Sequence, residues 1–198
     1  MENVDIRKIA GRWKLFAVLA VCAAPMIASY FTYYVIKPTD KNNYGTIIDP
    51  RQYPIPELNM TNGEGAKPVA LSELKGKWLM VQVDDGSCAE VCQRKLLEMR
   101  QLRLAQGKAM DRIERVWLIT DTQAIDAQIK PGIAGTYLLR TERAALEKWL
   151  PTDSGSQIQD HIYLIDPLGN LMMRFPKDAD PNKVKKDIGK LLKASAIG

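Results

Sequence analysis

Residues 78–105, WLMVQVDDGSCAEVCQRKLLEMRQLRLA, decide the fold. Trp78 to Val83 is a short apolar run suited to a buried central strand. After Asp84, Asp85 and Gly86 the period changes. Val91, Leu96, Leu97, Met99, Leu102 and Leu104 recur at threes and fours between Arg and Gln residues, which predicts a helix over 89–105. Cys88 and Cys92 fall at the junction of strand and helix.

Toward the C-terminus, Val116 to Thr120 (VWLIT) predicts a second buried strand, and Gln123 to Gln128 and Arg143 to Leu150 predict helical stretches. Ile162–Ile165 and Leu171–Phe175 form a hairpin around Pro167, Leu168, Gly169 and Asn170. Asp180 caps a last helix that starts at Pro181 and turns Val184, Ile188, Leu191 and Leu192 inward. Toward the N-terminus, Leu58–Met60 and Lys67–Leu71 flank the turn-forming residues Asn62 to Gly65 as a hairpin, and Ser72 is expected to cap one short turn before Gly76. The order of elements is that of an α/β, thioredoxin-like domain with an extra N-terminal hairpin, expected over 57–198.

A different solvent is implied further upstream. Leu15 to Ile36 carries no charged side chain and is about 33 Å long as a helix, enough to cross a bilayer. Backbone in lipid must satisfy its own hydrogen bonds, so the segment is expected to be helical, with Pro25 a tolerable kink. Trp13 marks one interface, and Tyr30, Phe31, Tyr33 and Tyr34 the other. Arg7, Lys8, Arg12 and Lys14 put residues 1–14 in the cytoplasm by the positive-inside rule. The expectation is a single-pass protein of a bacterial inner membrane, N-in, with its domain in the periplasm and residues 37–56 as an extended linker. A cleavable signal peptide is the rival, but its apolar core is about 7–15 residues and ends in small residues; this run continues into aromatics. Cys22 follows Val21, where a lipoprotein processing site needs a small residue, and reads as an inert thiol in the membrane.

The net charge of the chain is +5. Most of the mild excess lies outside the anchor, and no basic stripe with interleaved aromatics occurs, so nucleic acid is not an expected partner. Lys183, Lys185, Lys186, Lys190 and Lys193 read as the solvated face of the terminal helix. There is no Gly-rich phosphate loop and no Ser/His/Asp arrangement, and a chain with 1 histidine is a poor zinc catalyst. Met60, Met80, Met99, Met110, Met172 and Met173 are scattered through apolar runs as core filler. Asp121, at the end of the second strand, reads as a solvated loop residue.

The chemistry is concentrated in Cys88 and Cys92. Residues four apart in a first helical turn share a face, so the sulfurs can bond to each other or share a ligand. A helix N-terminus favours thiolate, while Asp84, Asp85 and Glu90 oppose it. A structural disulfide, two inert thiols, a redox pair and a metal site all fit this spacing, and the periplasm permits disulfides.

The stretch LSELKGKWLMVQVDDGSCAEVCQRKLLEMRQL resembles the core of the Sco (SenC-type) proteins, in which an LkGK turn, an apolar strand and a Cys-x3-Cys helix start follow one another; YLIDPLGNLMMRF resembles their later hairpin. The resemblance covers about residues 60–193. It implies a membrane-anchored, thioredoxin-like factor that delivers copper to, or reduces the cysteines of, the CuA site of cytochrome c oxidase. Two cysteines and a distant histidine hold the metal in that family.

Cys88 and Cys92 match the family cysteines, although Ala89 and Gln93 replace the prolines that usually follow them. The family histidine falls at Ile158, and the sole histidine of this chain, His161, stands three residues later. In a strand that offset reverses the face, so His161 is the weakest member of the implied set Cys88, Cys92 and His161. Two thiolates alone suit Cu(I), whereas Cu(II) would want the imidazole. Thioredoxin-type enzymes use Cys-x2-Cys and a proline before the hairpin strand, and no proline lies between Pro151 and Pro167. Three readings remain open: a Sco-like assembly factor working through Cu(I) or thiol–disulfide chemistry, a metal-free thiol–disulfide oxidoreductase, and a non-catalytic docking protein that retains the fold. The partner expected is membrane-embedded, a cytochrome c oxidase subunit or another assembly factor, reached through the lipid bilayer.

Overall fold

The computed structural model describes residues 3–32, 34, 43–63 and 67–197. Its strands are β1 (Thr46–Ile47), β2 (Thr61–Asn62), β3 (Trp78–Asp84), β4 (Ile113–Ile119), β5 (Thr136–Arg140), β6 (Ile162–Ile165) and β7 (Leu171–Arg174). Its α-helices are α1 (Asn3–Phe31), α2 (Glu90–Leu104), α3 (Arg143–Trp149) and α4 (Pro181–Ala194). Two units are distinguished, residues 1–42 and 43–198.

In the first unit, α1 runs without interruption through Pro25, and Trp13–Phe31 is long and apolar enough to cross a membrane. The helix begins at Asn3, so the basic N-terminal residues continue the same helix rather than forming a separate tail. Tyr33, Val35 and Ile36, expected at the end of the anchor, lie outside the described residues, as do 37–42 of the expected linker.

In the second unit the strands form one mixed sheet in the order β1-β7-β6-β3-β4-β5-β2. The strands β3, β4 and β5 are parallel; β6 runs antiparallel to β3, β7 to β6, β1 to β7, and β2 to β5. The run Trp78–Val83 is buried at every position because β3 sits at the middle of this sheet with layers on both faces. Side chains alternate between those layers. Leu79, Val81 and Val83 pack with Leu146, Trp149 and Leu150 on the α3 side, while Trp78 and Met80 pack with Met99, Leu102, Val184 and Ile188 on the α2/α4 side. Met60, Met80, Met99 and Met173 are core residues.

Several elements differ from the sequence expectation. Residues 43–56 belong to the domain rather than to a linker: Ile47 pairs with Met173, the Ile48 amide donates to the Met172 carbonyl at 2.9 Å, and Asp187 accepts from the amides of Tyr44 and Gly45 at 2.6 and 3.0 Å. Pro- and Asn-rich chain lacks apolar periodicity, but its backbone groups add to the sheet edge regardless. No helix forms over 123–128. There Asp121 Oδ1 accepts from the Gln123 amide and Asp126 Oδ1 from the Gln128 amide, local bonds that compete with helical ones. The strand β5 follows instead, with Tyr137 exposed. Ser72 lies inside a 3-10 turn over Leu71–Leu74 that starts after Ala70, so the turn exists without the expected cap. In α2, Val91, Leu97 and Leu104 face solvent, whereas Cys92, Leu96, Met99 and Leu102 face inward.

Candidate functional site

The strand β3 ends at Asp84, and four residues, Asp85 to Cys88, turn the chain into α2. Cys88 adopts a left-handed backbone (φ 43°), which folds it back over the first helical turn. Ala89 is the N-cap and Cys92 the third helical residue, so the two Cα atoms are 5.1 Å apart and the sulfurs are joined as a disulfide. The dense i, i+4 spacing therefore brings the pair together, as expected.

The surroundings are less expected. Both cysteines are buried, Cys88 at 0% and Cys92 at 1% exposure, and cluster with Leu96, Trp117, Ile119 and Ile133; Ile125, Ile129 and Leu138 pack at the edge of this cluster. The segment 121–135, where a helical stretch was expected over 123–128, thus covers the pair. It is held at one end by Asp121, whose Oδ1 accepts from the Gly86 amide at 2.7 Å, and by Arg140, which donates to the carbonyls of Asp121 and Gln123 at 2.6 and 2.7 Å. Asp121 is therefore a clasp for the loop preceding Cys88, not a solvated residue. A Cβ at Gly86 would lie 2.5 Å from the Gln123 carbonyl oxygen, which is why only glycine fits there. A cleft of about 430 Å³ beside α2 is lined by Val91, Lys95, Gln159 and Asp160 but by neither cysteine.

Two of the acids flanking the pair, Asp84 and Asp85, are neutralised. Lys95 Nζ reaches Asp84 Oδ2 at 3.3 Å and the Gln159 carbonyl, and Arg143 reaches Asp85 Oδ1 at 2.8 Å. Thr120 Oγ1 also donates to Asp85. Burial pushes the Lys95 ammonium below its ordinary range, with Asp84 opposing the shift. By sequence alone Asp84, Asp85 and Glu90 all oppose thiolate formation; the cations that balance the first two come from α2 and α3 and carry no local motif.

The structure does not bring His161 to the cysteines. Its ring is fully buried, with Nδ1 2.8 Å from the Phe175 carbonyl and Nε2 2.7 Å from Ser156 Oγ. Burial holds its pKa below the ordinary value, against the pull of the Phe175 carbonyl. Ile158, where the family histidine was expected, lies in a 3-10 turn and is buried in the α3-side core. Among the described residues no group of three or more His, Cys, Asp or Glu is arranged to hold a metal ion. Reduced, Cys88 and Cys92 would offer two sulfurs and no third ligand, a donor set that fits Cu(I) and not Cu(II).

A further polar residue lies beside the pair. Gln82, fully buried on β3, donates from Nε2 to Cys92 Sγ at 3.2 Å and to the Cys92 carbonyl at 3.3 Å. A polar side chain inside WLMVQV is the signal that could have found it.

Fold and site together define a thioredoxin-like protein with a Cys-x3-Cys pair at the start of its longest domain helix, preceded by an N-terminal apolar helix. Residues 78–195 match the family described as transmembrane-like, thioredoxin-like, C-terminal domain, and residues 6–35 match its companion, the transmembrane-like, N-terminal domain. The chain belongs to this transmembrane-like, thioredoxin-like family. Among solved structures it is similar to Bradyrhizobium japonicum ScoI with copper bound, at 22% identity over 70% of this chain and 97% of that one, with a TM-score of 0.50. A SCO1/SenC family lipoprotein from Bacillus anthracis is 20% identical over 75% and 98% of the two chains, with a TM-score of 0.55. Yeast Sco1 with copper bound is 14% identical over 79% and 96%, with a TM-score of 0.56. The domain therefore has a Sco/SenC-like fold, as the sequence motifs implied. No curated protein matches the sequence.

Proposed function

We propose that this chain is a membrane-anchored, Sco-like assembly factor that acts on cytochrome c oxidase through the Cys88–Cys92 pair. The observation that carries the reading is the pair itself: two cysteines joined at the start of α2, on a Sco/SenC-like fold whose solved relatives include copper-bound proteins. The pair works as a dithiol, passing two electrons to a target disulfide and closing its own disulfide in return, or carrying Cu(I) as cargo between its two sulfurs. His161 takes no part, because both of its ring nitrogens are engaged elsewhere. The apolar helix anchors the domain, and the basic residues at its N-terminal end favour an N-in topology with the domain in the periplasm. In that compartment the pair requires a reductant before it can bind copper.

Cu(I) titration of the reduced full-length protein in detergent tests this reading. One equivalent is expected to bind to wild type and to His161→Gln, and none to Cys88→Ser; binding unaffected by Cys88→Ser would refute the metal role. A docking role with a purely structural disulfide is the second reading, favoured by the burial of both sulfurs. It predicts that a Cys88→Ser/Cys92→Ser double variant still matures the oxidase in cells, whereas the main reading predicts loss of maturation.

A further inference from the structure

Gln82 occupies an expensive position. It lies in the interior of the central strand, between Val81 and Val83, opposite Trp117 on β4 and Ile162 on β6, and is fully buried. A buried amide costs free energy unless its groups are paired, and here pairing is only partial: Oε1 has no hydrogen-bond partner, while Nε2 donates to the Cys92 carbonyl and to Cys92 Sγ. The orientation of the amide is fixed by that carbonyl, because exchanging Oε1 for Nε2 would set two oxygens against each other. An apolar side chain would fill the site without leaving an orphaned oxygen. The donor aimed at Cys92 Sγ is the feature that such a side chain would lack.

We propose that Gln82 is a positioning residue that sets the redox balance of the Cys88–Cys92 pair by stabilising negative charge on Cys92 Sγ. A sulfur in a disulfide is a weak acceptor, whereas a sulfur carrying charge receives a charge-assisted bond roughly twice as strong as a neutral one. Nε2 therefore stabilises the reduced state more than the oxidised state. The inference rests on the reading of the pair as a working dithiol. An external dithiol supplies the electrons. One of its thiolates attacks Cys88 Sγ, the bond between Cys88 and Cys92 breaks, and its electron pair leaves on Cys92 Sγ, facing the Gln82 amide. The donor's second thiolate then attacks the mixed disulfide, releasing Cys88 as thiolate and leaving the donor oxidised. Two electrons pass from donor to pair, and protons are taken from solvent as the sulfurs require.

Full-length protein in detergent and metal-free buffer, equilibrated with reduced and oxidised dithiothreitol and read by thiol alkylation and mass, measures the balance. Gln82→Met keeps length and removes the donor; Gln82→Asn keeps the amide but withdraws it by one methylene. Both are expected to make the pair about tenfold harder to reduce, which is about 30 mV for two electrons. Melting temperatures of the oxidised and reduced forms separate this from loss of packing, because a purely structural effect lowers both forms alike and leaves the equilibrium with dithiothreitol unmoved. An unmoved or more reducible pair in Gln82→Asn overturns the proposal even if Gln82→Met fails to fold. A wild-type pair that resists every ratio of dithiothreitol overturns the dithiol reading and this proposal with it; a reducible wild type with unshifted variants overturns the proposal alone.

Discussion

His161 Nδ1 lies 2.8 Å from the carbonyl oxygen of Phe175, joining the entry of β6 to the exit of β7 through an imidazole. A carbonyl can only accept, so Nδ1 carries the proton, and Nε2 lies 2.7 Å from Ser156 Oγ, whose hydroxyl also reaches the Asp153 carbonyl at 2.8 Å. Burial lowers the pKa of this ring.

The pH dependence follows from that direction. Between the folded value and the ordinary 6.5 the unfolded chain binds more protons than the folded one, so stability falls as pH drops through this window. In urea titrations the wild-type midpoint should fall from pH 7 to pH 5, and His161→Gln, though less stable at pH 7, should fall less over the same range. Parallel pH profiles for the two proteins would contradict this.

Asp187 ties the chain before β1 to α4. Its side chain is nearly buried, and its Oδ2 accepts from two successive backbone amides, those of Tyr44 and Gly45, while Oδ1 meets Lys190 Nζ at 3.2 Å. Asp187→Ala leaves both amides without that acceptor and should cost about 1–3 kcal/mol of stability. The urea midpoint should fall at constant slope, and limited proteolysis should cut first near residues 43–49. Wild-type resistance at that segment would show that the strand pairing of Ile47 with Met173 holds it alone.

Gly86 is where the loop before Cys88 touches the covering segment. Gly86→Ala places a Cβ against the Gln123 carbonyl at 2.5 Å and Asp121 Oδ1 at 3.0 Å, an overpacking worth about 1–3 kcal/mol. The strain is relieved by moving residues 121–125 outward. The expected result is faster reduction of the Cys88–Cys92 bond by dithiothreitol than in wild type, measured under conditions where both proteins remain folded. An unchanged rate would mean that access to the sulfurs is controlled elsewhere.

What sequence disclosed, and what it hid, divides along the range of the interactions. The central strand was visible because burial on both faces leaves WLMVQV almost continuously apolar, and α4 because Val184, Ile188 and Leu192 recur at helical spacing above an Asp180 cap that accepts from the Asn182 amide. The cysteine pair was visible because its contact is local. The strand β5 was hidden because Thr136, Tyr137 and Arg140 break up its apolar character, and it exists by pairing with Arg115–Ile119 on β4. The placement of residues 43–56 was hidden for a similar reason: backbone bonds to β7 and the Asp187 carboxylate are set by residues more than a hundred positions away. His161 was identified as the weak ligand from its register, but its actual partner, the Phe175 carbonyl, leaves no side-chain signature at all.

Lys95 couples the stability of the domain to alkaline pH. The ammonium is mostly buried beside the disulfide-bearing turn, paired with Asp84 Oδ2 at 3.3 Å and with the Gln159 carbonyl. Two effects compete on removing it. Lys95→Met deletes a charge-assisted contact of about 1.5–3 kcal/mol, yet relieves the cost of burying an ammonium. Asp84 retains 21% side-chain exposure, so water can solvate its carboxylate after the change, and the net loss at pH 7 should stay below about 2 kcal/mol. Because burial is the largest influence on Lys95 and lowers its pKa, the unfolded chain binds the extra proton between the folded value and 10.5. Wild-type stability should therefore rise relative to Lys95→Met as pH increases through that window, and the relative gain should be lost again as pH falls through the folded value. Paired urea titrations at pH 7, 8.5 and 10 check this. A difference between wild type and variant that shrinks toward pH 10 would show that the attraction of Asp84, and not burial, governs the ammonium.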